Sequence, residues 1–205
     1  MMETDLANML VCANNMSEVD YIEKLKEGTG LNHSGSPYHY PNGDPLAMEW
    51  EYAEKLMQSV INNKPQEIVE IGTATGYSTS WLALGVFKNG SGNITTFDYE
   101  NRNPHLRGIP GKVSYVFKEF LKATENLPKK IDFVFHDAQH RYELITADLD
   151  AVMPRMSKNS QIFVHDVTGS ELPNMMKDYF NKNGYEFTHF KEGHGLGWAK
   201  KGDIK

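Results

Sequence analysis

Five acids and two histidines stand at or near the ends of short apolar runs in this chain: Glu70, Asp98, Glu119, Asp137 and Asp166, with His140 and His165. The run Glu70-Ile71-Gly72-Thr73-Ala74-Thr75-Gly76-Tyr77-Ser78 sets an acid two residues ahead of the first of two glycines. Glycine serves where a backbone turns sharply or must let a ligand approach. A helix beginning there would add free N–H donors. The spacing differs from Gly-x-Gly-x-x-Gly, which cradles a dinucleotide pyrophosphate. A carboxylate at Glu70 suits a cationic ligand, such as a sulfonium carrying an ammonium group. A tight strand–helix turn with no ligand is the plain alternative. Further on, Asp137-Ala138-Gln139-His140 places an acid three residues before an imidazole, and Val164-His165-Asp166-Val167 supplies a second such pair. Carboxylates can hold a divalent ion. An imidazole titrates near neutral pH, as a general base must. Capping the next helix or packing on Tyr142 is the other reading of His140. His165 could ligate a metal, but a hard Mg²⁺ prefers oxygen. Three readings of it stay open: a softer ion, a His165 turned elsewhere, or no metal.

These residues need elements to position them. Leu46 to Ile61 has helical spacing of apolar residues. Glu67–Ile71 is a β-branched run ending at Gly72, and Tyr77 to Leu84 reads as a helix start. Asn93 to Asp98, Lys112 to Phe117, Ile131 to Asp137 and Gln161 to Asp166 read as four more strands. Helices are expected over Tyr142 to Met153 and Leu172 to Asn181, and a closing antiparallel pair over Glu186 to Phe190 and Gly197 to Lys200. Alternating strands and helices predict an α/β fold: a Rossmann-like, doubly wound sheet, mostly parallel, with helices on both faces. In such sheets ligands bind at the carboxyl ends of the strands. Asp98, Asp137 and Asp166 should therefore face one crevice. This domain is expected over residues 46–205. Residues 1–45 read as a helical extension, with Ser17 capping a second helix. Its 28–45 loop, carrying His33 and His39, could close as a lid.

At this point the residues match a known pattern. Val69 to Thr79 resembles motif I of class I S-adenosylmethionine-dependent methyltransferases. It is nearest the branch holding catechol-type O-methyltransferases and the metal-dependent sugar O-methyltransferases of antibiotic pathways. Asp137-Ala138-Gln139-His140-Arg141-Tyr142 resembles the Asp-x-x-His-x-Tyr signature of the metal-dependent enzymes, and the likeness spans about residues 46–200. The resemblance implies S-adenosylmethionine as cofactor. Glu70, Gly72 and Ser78 would hold its methionine end, with Thr73 and Gly76 completing the turn. Asp98 would hold the ribose. Glu119 would sit near the adenine, although Lys118 replaces the usual glycine before it. Asp137 would face the cofactor and ligate Mg²⁺ or another divalent ion, together with Asp166 and His165. His140 would be the catalytic base. The implied acceptor is a small hydroxylated molecule such as a sugar. Two rivals remain: a divergent, hydroxylase-like member, and a non-catalytic cofactor binder.

Composition narrows the field. A net charge of −6 argues against a nucleic-acid partner, since no basic footprint for a phosphate backbone emerges. The single cysteine, Cys12, permits neither an intramolecular disulfide nor a thiolate zinc cluster. No apolar run nears the ~20 residues of a spanning helix, and the N-terminus is acidic, so a cytoplasmic address without membrane partners is expected. A homo-oligomer is left open. His194, in a Gly-rich stretch, reads as a turn residue, His136 as structural, and Trp50, Trp81 and Trp198 as packing residues.

Overall fold

The computed structural model describes residues 18–26, 48–101 and 112–202. Cys12, Ser17 and the 28–45 loop lie outside them. Helices are α1 (Glu18–Lys26), α2 (Trp50–Asn63), α3 (Tyr77–Asn89), α4 (Tyr142–Val152) and α5 (Leu172–Lys182). Strands are β1 (Glu67–Ile71), β2 (Asn93–Asp98), β3 (Val113–Phe117), β4 (Ile131–His136), β5 (Met156–His165), β6 (Tyr185–Phe190) and β7 (Leu196–Lys201). They form one seven-stranded sheet in the order β3-β2-β1-β4-β5-β7-β6. β1 to β5 run parallel, and β7 lies antiparallel between β5 and β6. This is the expected doubly wound α/β sheet with its antiparallel pair. None of the described helices is long and apolar enough to cross a membrane.

The central strands are apolar on both sides because both sides are covered. Ile68, Phe133, Phe135 and Phe163 point toward α2 and α3, where Leu56, Val60, Trp81 and Leu82 meet them. Val69, Ile71, Val134, Ile162 and Val164 point the other way, toward Ile145, Leu149, Met176 and Phe180 of α4 and α5. Alternate side chains on one strand thus feed two cores. Trp198 stacks on Phe163 with ring centroids 5.9 Å apart, and Trp81 is fully buried, so both are packing residues. Trp50 carries the Lys26 ammonium 4.7 Å from its ring centroid.

β5 departs furthest from its expected start. β5 starts at Met156, five residues ahead of the expected Gln161. Its added stretch Ser157-Lys158-Asn159-Ser160 has no apolar alternation. Met156 nonetheless pairs with Ile131, and the register with β4 shifts before Phe133 meets Gln161. Strand order reverses between β1 and β4, which places the open crevice beyond their carboxyl ends.

Candidate functional site

The Gly-rich turn leaves β1 between β2 and β4. Gly72 N–H and Thr73 N–H both donate to the Phe97 carbonyl, at 2.8 and 3.2 Å. On the other side Asp137 N–H donates to the Ile71 carbonyl at 2.8 Å. Gly72 has φ +105°, and a Cβ there would lie 2.6 Å from the Asp137 carbonyl oxygen. Only glycine lets the turn pass this close to the end of β4.

Glu70 is fully buried. Its carboxyl accepts hydrogen bonds from Ser78 Oγ, Thr79 Oγ1 and Thr96 Oγ1, each at 2.6 Å. Thr73 Oγ1 joins the same group through Thr96 Oγ1. Burial pushes the Glu70 pKa up to about 7, because the three hydroxyls offset only part of the lost hydration. The side chains of Glu70, Thr73 and Ser78 are thus spent inside the turn. Their polar atoms brace α3 against β1 and β2. Gly76, at φ +85°, starts α3.

Four of the remaining candidates share one space. A cavity of about 320 Å³ is lined by Gly72, Asp98, Glu119 and Asp137, with Phe97, Phe120, Leu121 and Leu144 as apolar wall. Asp98 Oδ2 accepts from Ala74 N–H at 2.8 Å, which ties the acid to the turn. Glu119, also in the lining, pairs with Lys122. Acidic and apolar side chains thus line this cavity together. His136, predicted to be structural, is fully buried and bonds Asp148 at 3.0 Å.

Asp137 also belongs to a second group at the strand ends. His140 Nε2 lies 2.9 Å from Asp166 Oδ2 and 3.7 Å from Asp137 Oδ1. Ligand atoms of Asp137, His140 and Asp166 all fall within 4.8 Å of one another. Asp166 sits at φ +57°, a left-handed conformation that Asp tolerates better than most residues and that turns the chain sharply out of β5. Bonds to Asp137 and Asp166 push His140 up to about 10. Burial alone would raise Asp137, but the His165 and His140 charges outweigh it and hold the carboxyl well below its usual range.

His165, expected beside the metal, stands next to that group of three and not among them. It is buried, with Nδ1 3.2 Å from Asp137 Oδ1 and Nε2 2.9 Å from Glu49 Oε2. Burial opposes a charge on it, but Asp137, Glu49 and Asp166 overcome that and lift its pKa well above the usual value.

Glu49 is the residue that sequence reading missed. It is buried just ahead of α2, and Glu49 Oε1 accepts from His194 N–H at 2.8 Å and pairs with His194 Nδ1 at 2.7 Å. Burial would raise its pKa, but the His165 contact brings it down to about 2. Its partners lie 116 and 145 residues away, so no local spacing could announce it.

Residues 69–167 match a family model described as a methyltransferase domain. No curated protein matches the chain. Solved structures share its fold at low identity. The O-methyltransferase TomG from Streptomyces achromogenes, involved in tomaymycin synthesis and solved with SAM, is 18% identical. It covers 99% of this chain and 100% of its own, with a TM-score of 0.69. The O-methyltransferase from Bacillus cereus, in complex with SAH, is 16% identical over 98% of this chain and 100% of its own, TM-score 0.64. A SAH-bound methyltransferase from Podospora anserina is 14% identical over 90% and 87%, TM-score 0.68.

Proposed function

We propose that this chain, a methyltransferase on the S-adenosylmethionine-dependent fold, moves a methyl group from S-adenosylmethionine to the oxygen of a small hydroxylated acceptor such as a sugar. One observation carries the reading: Asp137 lines the nucleoside-sized cavity and is also a member of the Asp137–His140–Asp166 group. The methyl donor and the acceptor hydroxyl would thus meet at one carboxylate.

Methyl transfer from a sulfonium is an in-line displacement, so the protein mainly positions two partners. The Gly72 turn and Asp98 hold the donor's sugar and methionine part, and Glu119 faces its base. Two carboxylates and an imidazole make a mixed oxygen and nitrogen donor set, and Mn²⁺ accepts a nitrogen among its ligands more readily than Mg²⁺ does. Bound there, such an ion would supply Lewis acidity to the acceptor hydroxyl. Asp137 and Asp166 provide its charge, and His140, assigned as base by resemblance, serves here as the third ligand. The small acceptor agrees with a chain of net charge −6.

Thermal melting with S-adenosylmethionine tests this, with Mn²⁺, Mg²⁺ or EDTA added. The cofactor should raise the midpoint, and Asp98→Ala should abolish the rise. Mn²⁺ should add a further shift that Asp166→Ala removes. An unchanged midpoint with cofactor would overturn the methyltransferase reading. A cofactor shift indifferent to metal would overturn metal assistance alone.

A further inference from the structure

We infer that His194 is the general base of this reaction and that Glu49 is the carboxylate that orients it. The inference rests on the methyl-transfer reading. One oxygen holds both the backbone and the ring of His194: Glu49 Oε1 accepts from the His194 backbone N–H at 2.8 Å and meets ring Nδ1 at 2.7 Å. A carboxylate on Nδ1 selects the tautomer with hydrogen there and leaves Nε2 as the basic lone pair. Among the described residues nothing else bonds the ring, and its side chain is 65% exposed.

The turn that carries His194 is pinned to the strand end beside Asp166. Val167 N–H donates to the Gly195 carbonyl at 3.3 Å. Gly195 has φ +76°, and a Cβ there would lie 2.5 Å from the Val167 carbonyl oxygen. Tyr52 Oη, from α2, donates to the Glu192 carbonyl at 2.5 Å on the other side of the turn. The His194 ring centroid is 6.1 Å from that of His165. His165 in turn lies 3.6 Å from Asp166. One imidazole therefore separates His194 from the acids at the strand ends.

The other histidines there are committed. His140 Nε2 sits between two carboxylates, and His165 is bonded at both nitrogens. His189 Nε2 contacts the Val167 carbonyl at 2.7 Å, and His136 is buried. Ionisable groups around His194 are Glu49 from the start of α2, His165 from β5, and Lys191 and Glu192 in its own turn.

In the step, an acceptor oxygen lone pair forms the new C–O bond to the sulfonium methyl carbon. The C–S bond breaks and its electron pair stays on sulfur, giving the thioether. The acceptor O–H proton passes to His194 Nε2, and the exposed imidazolium returns it to water.

The test compares wild type with His194→Ala, His194→Gln and Glu49→Gln. Transfer of labelled methyl from S-adenosylmethionine to catechol and to methyl glucoside is followed from pH 5 to 9. Histidine ¹⁵N NMR reads the tautomer. Both His194 variants should lose about 10²–10⁴ of the methyl-transfer rate while keeping the melting shift with S-adenosylmethionine. Added imidazole should restore part of the rate to His194→Ala and none to His194→Gln. The acidic limb of the pH profile should vanish in both. In wild type, His194 should carry its proton on Nδ1, and Glu49→Gln should release that preference. Variant rates within threefold of wild type, or a proton on Nε2, would overturn the inference. An inactive wild type would count against the methyl-transfer reading on these acceptors, and the tautomer would still decide the dyad.

Discussion

Glu70 and Glu49 are both buried acids, yet they respond to pH in opposite senses. Among the described residues Glu70 has three hydroxyl donors and no ion pair, and its folded-state pKa of about 7 stands above the ordinary 4.5. A raised acid favours folding most when protonated. Its contribution is complete below pH 4.5 and is lost as pH rises through 7, a span worth roughly 3 kcal/mol. Glu70→Gln keeps an acceptor for the hydroxyls and has no charge to bury. Urea midpoints of this variant should therefore vary less between pH 5 and 8 than those of wild type. Glu49 has His165 against it and a pKa of about 2, so its contribution is present above pH 4.5 and is lost as pH falls toward 2. Glu49→Gln should flatten the acid limb of the same curve. His140 offers a test of the cation group: His140→Ala should weaken Mn²⁺ binding at least tenfold, read by calorimetry, while leaving S-adenosylmethionine affinity near wild type.

Lys64 and Gly72 carry local strain with different consequences. Lys64 caps α2 in the left-handed region at φ 49°, where its N–H donates to the Val60 carbonyl at 2.9 Å. A non-glycine residue there costs about 1 kcal/mol. Lys64→Gly should raise the melting midpoint by about 1–3 °C, after the added freedom of glycine in the unfolded chain is subtracted. Gly72 is the reverse case. Its φ of +105° and the carbonyl 2.6 Å from a would-be Cβ leave alanine no room. Gly72→Ala should push β1's turn away from β4, cost roughly 2 kcal/mol or more in a denaturant titration, and weaken cofactor binding, since this same turn walls the cavity.

At the scale of the molecule, one sheet separates two apolar cores that share their strands. Phe135, near the carboxyl end of β4, is fully buried and belongs to the core on the α2–α3 side, while its neighbour Val134 belongs to the other. Damage to either face is therefore felt through the same strand. Phe135→Ala should cost roughly 3–5 kcal/mol, and near- and far-ultraviolet circular dichroism should report one coincident loss of structure. The same sheet brings together the start of α2, the ends of β4 and β5, and the turn before β7, so the Glu49–His165–Asp137 contacts form only when the whole sheet is assembled.

The strands and the Gly-rich turn were legible from the chain alone. β1 and β2 have the bounds that their apolar runs predict, because strands buried on both faces announce themselves by near-continuous β-branched and aromatic residues. Acids at the ends of such strands must share the sheet's carboxyl edge, so the meeting of Asp98 and Asp137 at one cavity also follows from order alone. The direction of each side chain did not. Sequence could not say that Glu70 and Ser78 bond each other, nor that His140 lies on Asp166 while His165 turns to Glu49. Those choices depend on which groups find partners once water is excluded, and the partners lie from 8 to 116 residues apart. The residue types set what chemistry was open to the strand ends; burial and the packing of distant elements decided which side chains are left free to perform it.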